Sequence, residues 1–270
     1  MPYDGYLAAA YSGHLVWPDH DHIAPMGNVA GRMDCVRRAM SGGGMFLYQV
    51  PKKFEQPVSG VCYQDGLMLR PLAPATATVD NLFRSIRAPK LFIAMAPLAN
   101  KSAVFHVLNL DGPDLGSKLP DPPEHEGRIS LSDYQNAGGM IQPYPGLWEV
   151  PEEGLYMYEQ FTGKGQLFGK EYKPKFAHLT DQLIQLSPIV DGWSIVGRTD
   201  KYLSAAAVEV LARDKDSLKI KLHEAGPFAV YSRDGAPRAK GATFVDSGNG
   251  LYKADMPIGE LNKTVLIERQ

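Results

Sequence analysis

The chain has 270 residues, 28 Lys plus Arg against 30 Asp plus Glu, and 44% apolar residues. That is the chemistry of one large globular domain or two modest ones. It excludes a nucleic-acid binder driven by a basic surface and an acidic disordered chain. The longest apolar stretch, near residues 91–99, is about half of what a membrane span needs. The start, Met1-Pro2-Tyr3-Asp4-Gly5, shows no basic segment followed by an apolar block, so no signal peptide is read. Cys35 and Cys62 do not make a disulfide scaffold and are expected as buried free thiols in a reducing, cytoplasmic setting. With 27 glycines and 21 prolines, many turns and hence many short strands are implied.

In chain order, His14-Leu15-Val16-Trp17 is a short apolar strand run stopped by Pro18. A polar cluster, Asp19-His20-Asp21-His22, follows. Val29, Met33, Val36 and Met40 then fall on one face of a helix, with Asn28 as its N-cap. Arg37-Arg38 would be its solvated face, and Cys35 lies off its apolar stripe. Ser41-Gly42-Gly43-Gly44 ends the helix. Met45-Phe46-Leu47-Tyr48-Gln49-Val50 suits a strand buried on both faces. Strand, helix and strand normally give two parallel strands joined by a right-handed crossover. Their carboxyl ends share an edge, and in barrels of this kind that edge holds the chemistry.

From about Pro89 the texture becomes all-β. Strands are expected at residues 91–96, 103–110, 155–160, 166–169, 183–186, 193–197, 207–211, 217–223, 228–232 and 264–268. Leu218-Lys219-Ile220-Lys221-Leu222 alternates apolar and basic residues. Asp191-Gly192, Asp234-Gly235 and Asn249-Gly250 read as turns, as does the stretch from Asn109 to Gly112. One short helix is expected at 132–137, and an exposed loop at 113–127. This spacing of strands suggests an antiparallel sandwich.

Several segments carry a resemblance. His14-Leu15-Val16-Trp17-Pro18-Asp19-His20-Asp21 resembles the Trp-Pro-Asp segment of the raffinose synthase and seed-imbibition protein group. That group is an α-galactosidase-like branch of glycoside hydrolase family 36. Ala39-Met40-Ser41-Gly42-Gly43 and Asp65-Gly66-Leu67-Met68-Leu69-Arg70-Pro71-Leu72 follow in the family's order. Residues 93–100 with 103–110, Gly197-Arg198-Thr199-Asp200-Lys201-Tyr202, and 226–232 complete it.

The resemblance implies the last two units of a (β/α)8 barrel, incomplete, followed by a C-terminal antiparallel β-sandwich. The division is residues 1–75 and 76–270. About 250 residues make a full barrel, so this one would not close within residues 1–75. It also implies an α-galactosyl saccharide as partner, and a second chain that could supply the rest of the barrel.

Retaining hydrolysis of a glycoside needs two carboxyl groups about 5 Å apart. In this family the nucleophile lies in a Lys-x-Asp motif upstream of Trp-Pro-Asp. Residues 1–18 contain no lysine, so no catalytic residue is assigned by the resemblance. Lys253-Ala254-Asp255 lies far downstream and is given no role. What the resemblance implies is substrate binding: Asp21 would accept from sugar hydroxyls, as a carboxylate can from two at once. Asp19 would brace the turn, and Trp17 would either stack on the ring or fill the barrel core. The family's apolar residue after the second Asp is His22 here, and its Ser-Asp pair is Gln49-Val50.

The other readings are plainer. Asp19-His20-Asp21-His22 invites a metal, but extended backbone sends the aspartates and histidines to opposite sides. No Cys-x-x-Cys or His-Glu-x-x-His accompanies it, and neither metal nor cofactor is assigned. Residues 197–201 read as an ion-paired turn without chemistry. An alternative from another class is a non-catalytic carbohydrate-binding module with Trp148, Tyr144 and Tyr156 as its sugar platform.

Overall fold

The computed structural model describes residues 22–23, 29–43, 46–47, 58–82, 91–109, 124–143, 146–177, 180–257 and 263–270. Strands β1 (His22–Ile23) and β2 (Phe46–Leu47) run parallel, with His22 opposite Phe46 and Ile23 opposite Leu47. Helix α1 (Val29–Ser41) connects them. A strand-helix-strand unit with a parallel pair is present, though its first described strand is 22–23 and not the expected 14–17. The strand run at 14–17 and Asn28 lie outside the described residues. His22, assigned to a polar turn, belongs to β1.

Helix α1 ends as its glycines require. Gly42 is left-handed at φ 67°, and its N–H reaches the carbonyls of Arg38 and Ala39 at 3.2 and 3.3 Å. The helix is not a surface helix with one wet face. Met33, Cys35, Val36, Ala39 and Met40 are all buried, and Arg38, read as solvated, is 1% exposed. The stripe reading supposes water opposite the stripe, whereas α1 is enclosed on most of its circumference.

The largest sheet has six antiparallel strands. Their order is β3 (Thr76–Ala77), β4 (Phe92–Pro97), β5 (Ala103–Leu108), β12 (Asp181–Pro188), β8 (Leu155–Glu159) and β9 (Lys164–Phe168). The short helix α2 (Val79–Leu82) follows β3. One face of the sheet sets Ile93, Met95, Phe105, Val107, Ile184 and Leu186 against helix α3 (Leu131–Gly139). The other sets Phe92, Ala94, Val104, Leu108 and Leu183 against α1. Burial on both faces explains why β4 and β5 read as continuous apolar runs. Helix α3 starts with a capping box, Ser130 and Asp133 exchanging side-chain and backbone hydrogen bonds.

Two four-stranded sheets make the sandwich. One is β13 (Trp193–Arg198), β16 (Gly226–Ser232), β19 (Leu251–Met256) and β18 (Val245–Asp246). The other is β14 (Val208–Arg213), β15 (Ser217–Leu222), β20 (Lys263–Arg269) and β17 (Pro237–Ala239). Trp193, Phe228 and Met256 meet Leu218, Ile220 and Ile267 between them. In β15 the buried Leu218, Ile220 and Leu222 alternate with the lysines, as the pattern predicts. The outer face of the β13 sheet packs on the six-stranded sheet, with Tyr156 and Tyr158 against Val196, Ala229 and Leu251. The antiparallel region is thus three layers of sheet, one more than a simple sandwich.

Turns are present at 191–192, 234–235 and 249–250, while residues 110–112 of the other turn signal lie outside the described residues. Asp191 and Gly192 adopt φ 53° and 74°, and Asn249 and Gly250 adopt 54° and 73°. Paired positive φ is the geometry of a tight hairpin turn. Strand β19 had no counterpart in the sequence reading. It contains Lys253-Ala254-Asp255, whose lysine donates to the Gly163 carbonyl at 2.6 Å. Part of the expected loop at 113–127 is strand: β6 (Glu124–Glu126) pairs with β11 (Lys175–Ala177).

Candidate functional site

Trp17, Asp19 and Asp21 lie outside the described residues. What the structure describes is the frame that follows them. Strand β1 begins one residue after Asp21 and leads into α1. The position of this unit depends on how α1 is held.

A buried charge network holds it. The Arg32 guanidinium of α1 pairs with Oδ1 of Asp181, and His106 Nε2 lies 3.1 Å from Oδ2 of the same carboxylate. The side chains of His106 and Asp181 have no solvent exposure. Arg32 also stacks over the Phe161 ring, 4.0 Å from its centroid. Burial acts to raise the Asp181 carboxyl, but the hydrogen bonds and charges of His106 and Arg32 outweigh it and hold it below the usual range. Cys35, one turn on, is pushed up to about 12, mainly by burial. A thiol in that state is not a nucleophile.

His106 is a signal the sequence reading passed over. A single polar residue in the apolar run Ala103-Val104-Phe105-His106-Val107-Leu108 must find a partner once both sheet faces are buried. The partner, Asp181, is 75 residues away, which sequence spacing does not disclose.

A second network ties residues 58–70 to the sandwich. Arg198 makes a fork to Asp200 at 3.0 and 2.9 Å and donates to the Glu224 carbonyl at 2.8 Å. Lys201 Nζ lies 3.0 Å from the Glu224 carboxylate and donates to the carbonyls of Cys62 and Ser59 at 2.8 and 3.1 Å. Glu224 also accepts from the Gln64 N–H at 2.8 Å. The ion-paired turn expected at 197–201 is therefore present. Its donors are spent on protein acceptors, so it is a joint and not a catalytic centre. Two glycines make room for it. A Cβ on Gly197 would come 2.0 Å from the Ser204 carbonyl oxygen, and one on Gly226 2.4 Å from Arg198 Nη2.

The aromatic platform is corrected. Trp148 is 8% exposed and packs on Tyr134, ring centroids 5.4 Å apart. Tyr156 is 1% exposed and stacks on Tyr231 at 4.5 Å. Both rings fill layers between sheet and helix or between sheets, where no sugar reaches them. Tyr144 lies outside the described residues. Among the described residues no group of three His, Cys, Asp or Glu side chains is placed to hold a metal. No described helix is long and apolar enough to cross a membrane.

No family model matches the chain, and no curated protein does. Some solved structures are similar to it. α-Galactosidase I from Mortierella vinacea is 11% identical, with a TM-score of 0.39, covering 60% of this chain and 36% of that one. The isomalto-dextranase of Arthrobacter globiformis T6 complexed with panose is 9% identical, with a TM-score of 0.37, covering 93% of this chain and 47% of that one. The chain thus spans less than half the length of either.

Proposed function

We propose that the chain is the C-terminal portion of a glycoside hydrolase of the α-galactosidase and raffinose synthase kind. Its ligand would be an α-galactosyl saccharide. Asp21 would accept hydrogen bonds from the sugar hydroxyls, with Asp19 and Trp17 beside it. The chain as given would not turn the sugar over, because no nucleophile and acid/base pair is assigned in it. A second chain bearing further barrel strands would complete the site. The residue division 1–75 and 76–270 belongs to the same reading.

One observation supports it: the described segments behind the resemblance, all but residues 14–21, are neighbours in space. Ala75 N–H donates to the Met40 carbonyl at 3.0 Å, which joins the region of 65–72 to the end of α1. Tyr202 N–H donates to the Gly60 carbonyl at 2.8 Å. Residues 197–198 pair with 228–229 across β13 and β16, and β4 pairs with β5. A parallel β-α-β unit followed by antiparallel sheets is also the order the resemblance implies. The carbohydrate-module alternative loses its platform with Trp148 and Tyr156 buried.

The test is hydrolysis of a chromogenic α-galactoside by the purified chain, with Asp21→Asn as control. No turnover by either is expected. Turnover by the parent chain that Asp21→Asn abolishes would overturn the assignment of an incomplete site.

A further inference from the structure

A cavity of about 330 Å³ opens where the turn after Tyr63 meets strands β14 and β15. It lies within the range of small-ligand sites, about 300–1,000 Å³. Its polar rim is Asn100, Glu209, Lys221 and His223; its wall is formed by Ala207 and Val208 among others. None of these residues takes part in either charge network described above.

Each rim group is oriented. Asn100 sits in the left-handed region at φ 59°, and its amide nitrogen donates to the Val208 and Ala205 carbonyls at 2.9 and 3.3 Å. The amide oxygen is left as an acceptor. His223 Nε2 lies 2.7 Å from Oδ2 of Asp65, and its ring packs on Tyr63 with centroids 4.4 Å apart. The Leu67 N–H and then the His223 hydrogen bond hold the Asp65 carboxyl below its usual range. An ionised Asp65 can only accept, so His223 Nε2 donates to it, and Nδ1 is left for a guest.

The charges are matched in pairs. Lys221 Nζ lies 3.5 Å from Glu209 Oε2, directly across strands β15 and β14, and His223 is matched by Asp65. An ionic guest would meet no unopposed charge of the other sign. A hydroxyl both donates and accepts. Adjacent hydroxyls could donate to Glu209 or Asn100, accept from Lys221, and, able to do either, pair with His223 Nδ1. We propose that this cavity binds a neutral cyclic polyol, one monosaccharide unit in size. None of the residues lining it is one that the α-galactosyl reading assigns, and the inference does not rest on that reading.

Saturation-transfer NMR on the full chain, with glucose, mannose and xylose each in turn, tests it. Transfer to at least one of the three is expected. Glu209→Ala and His223→Ala should each raise its Kd tenfold or more, while Asp21→Asn leaves it unchanged. Thermal melts of the variants check that they fold, and Glu209→Ala, at an exposed position, serves if His223→Ala does not. No transfer from any of the three sugars would overturn the proposal. So would transfer that the cavity variants leave unchanged, or that Asp21→Asn abolishes.

Discussion

At the scale of single residues, Asp181 carries the most consequence. It is buried, bonded by His106 and paired with Arg32 from another element. Leaving one partner of a buried pair alone costs about 3–5 kcal/mol, and Arg32, part exposed, brings the expectation to the lower end. Asp181→Asn should therefore lower stability by about 3 kcal/mol in urea titrations near neutral pH. The pH dependence follows from the sign of its shift. The folded carboxyl titrates below its unfolded value, so its contribution is present above the ordinary carboxylate pKa. It is lost as pH falls through the lower folded value. The acid limb of the stability curve should flatten in Asp181→Asn; an acid limb equal to that of the parent would contradict this. The cysteines make a second residue-scale prediction. A disulfide reagent such as dithionitrobenzoate should label half-buried Cys62 in the native chain well before buried Cys35. Equal rates, or Cys35 first, would show that α1 is not enclosed as described.

At the scale of elements, long periodic segments were legible and short ones were not. The Val29, Met33, Val36 and Met40 spacing located α1, and the glycines after it marked its end. The alternation of Leu218 to Leu222 located β15 and its buried face. Strands of two or three residues, such as β3, β7 (Ile129–Ser130) and β10 (Glu171–Tyr172), have too few positions to show a period. Strand β19 was hidden because Tyr252, Lys253 and Asp255 break up its apolar residues, while Leu251, Ala254 and Met256 face packed layers. Trp148 misled because local sequence shows an aromatic among prolines and glycines but not the α3 helix above it. Its substitution separates the two roles. Trp148→Ala should cost about 3–5 kcal/mol of stability and leave sugar binding as it was. A stable variant with lost sugar binding would restore the platform. Gly197 gives an element-scale test of the bulge in β13, where the register with β16 shifts between Ile195 and Gly197. At φ 100° with the Ser204 carbonyl in the way, Gly197→Ala should destabilise by about 1–3 kcal/mol or more, read as a lowered Tm.

At the scale of the whole molecule, the parallel sheet and the antiparallel sheets pose different problems. The six-stranded sheet is covered on both faces, and the sandwich closes over its own core. Among the described residues the parallel sheet has two strands, and unpaired strand edges favour association. The site residues inferred for that region, Asp21 above all, were named from a resemblance, and they lie outside the residues whose geometry is described. Light scattering across a range of concentrations should show self-association of the chain; a monomer throughout would count against an open barrel. The central claim is that Asp21 belongs to a galactose-binding pocket. The direct measurement is the thermal melt of the His223→Ala chain with and without methyl α-galactoside, compared with the same chain also carrying Asp21→Asn. A ligand at ten times its Kd stabilises by about 1.4 kcal/mol. The account predicts a raised Tm that Asp21→Asn removes. No shift, or a shift that survives Asp21→Asn, would contradict it.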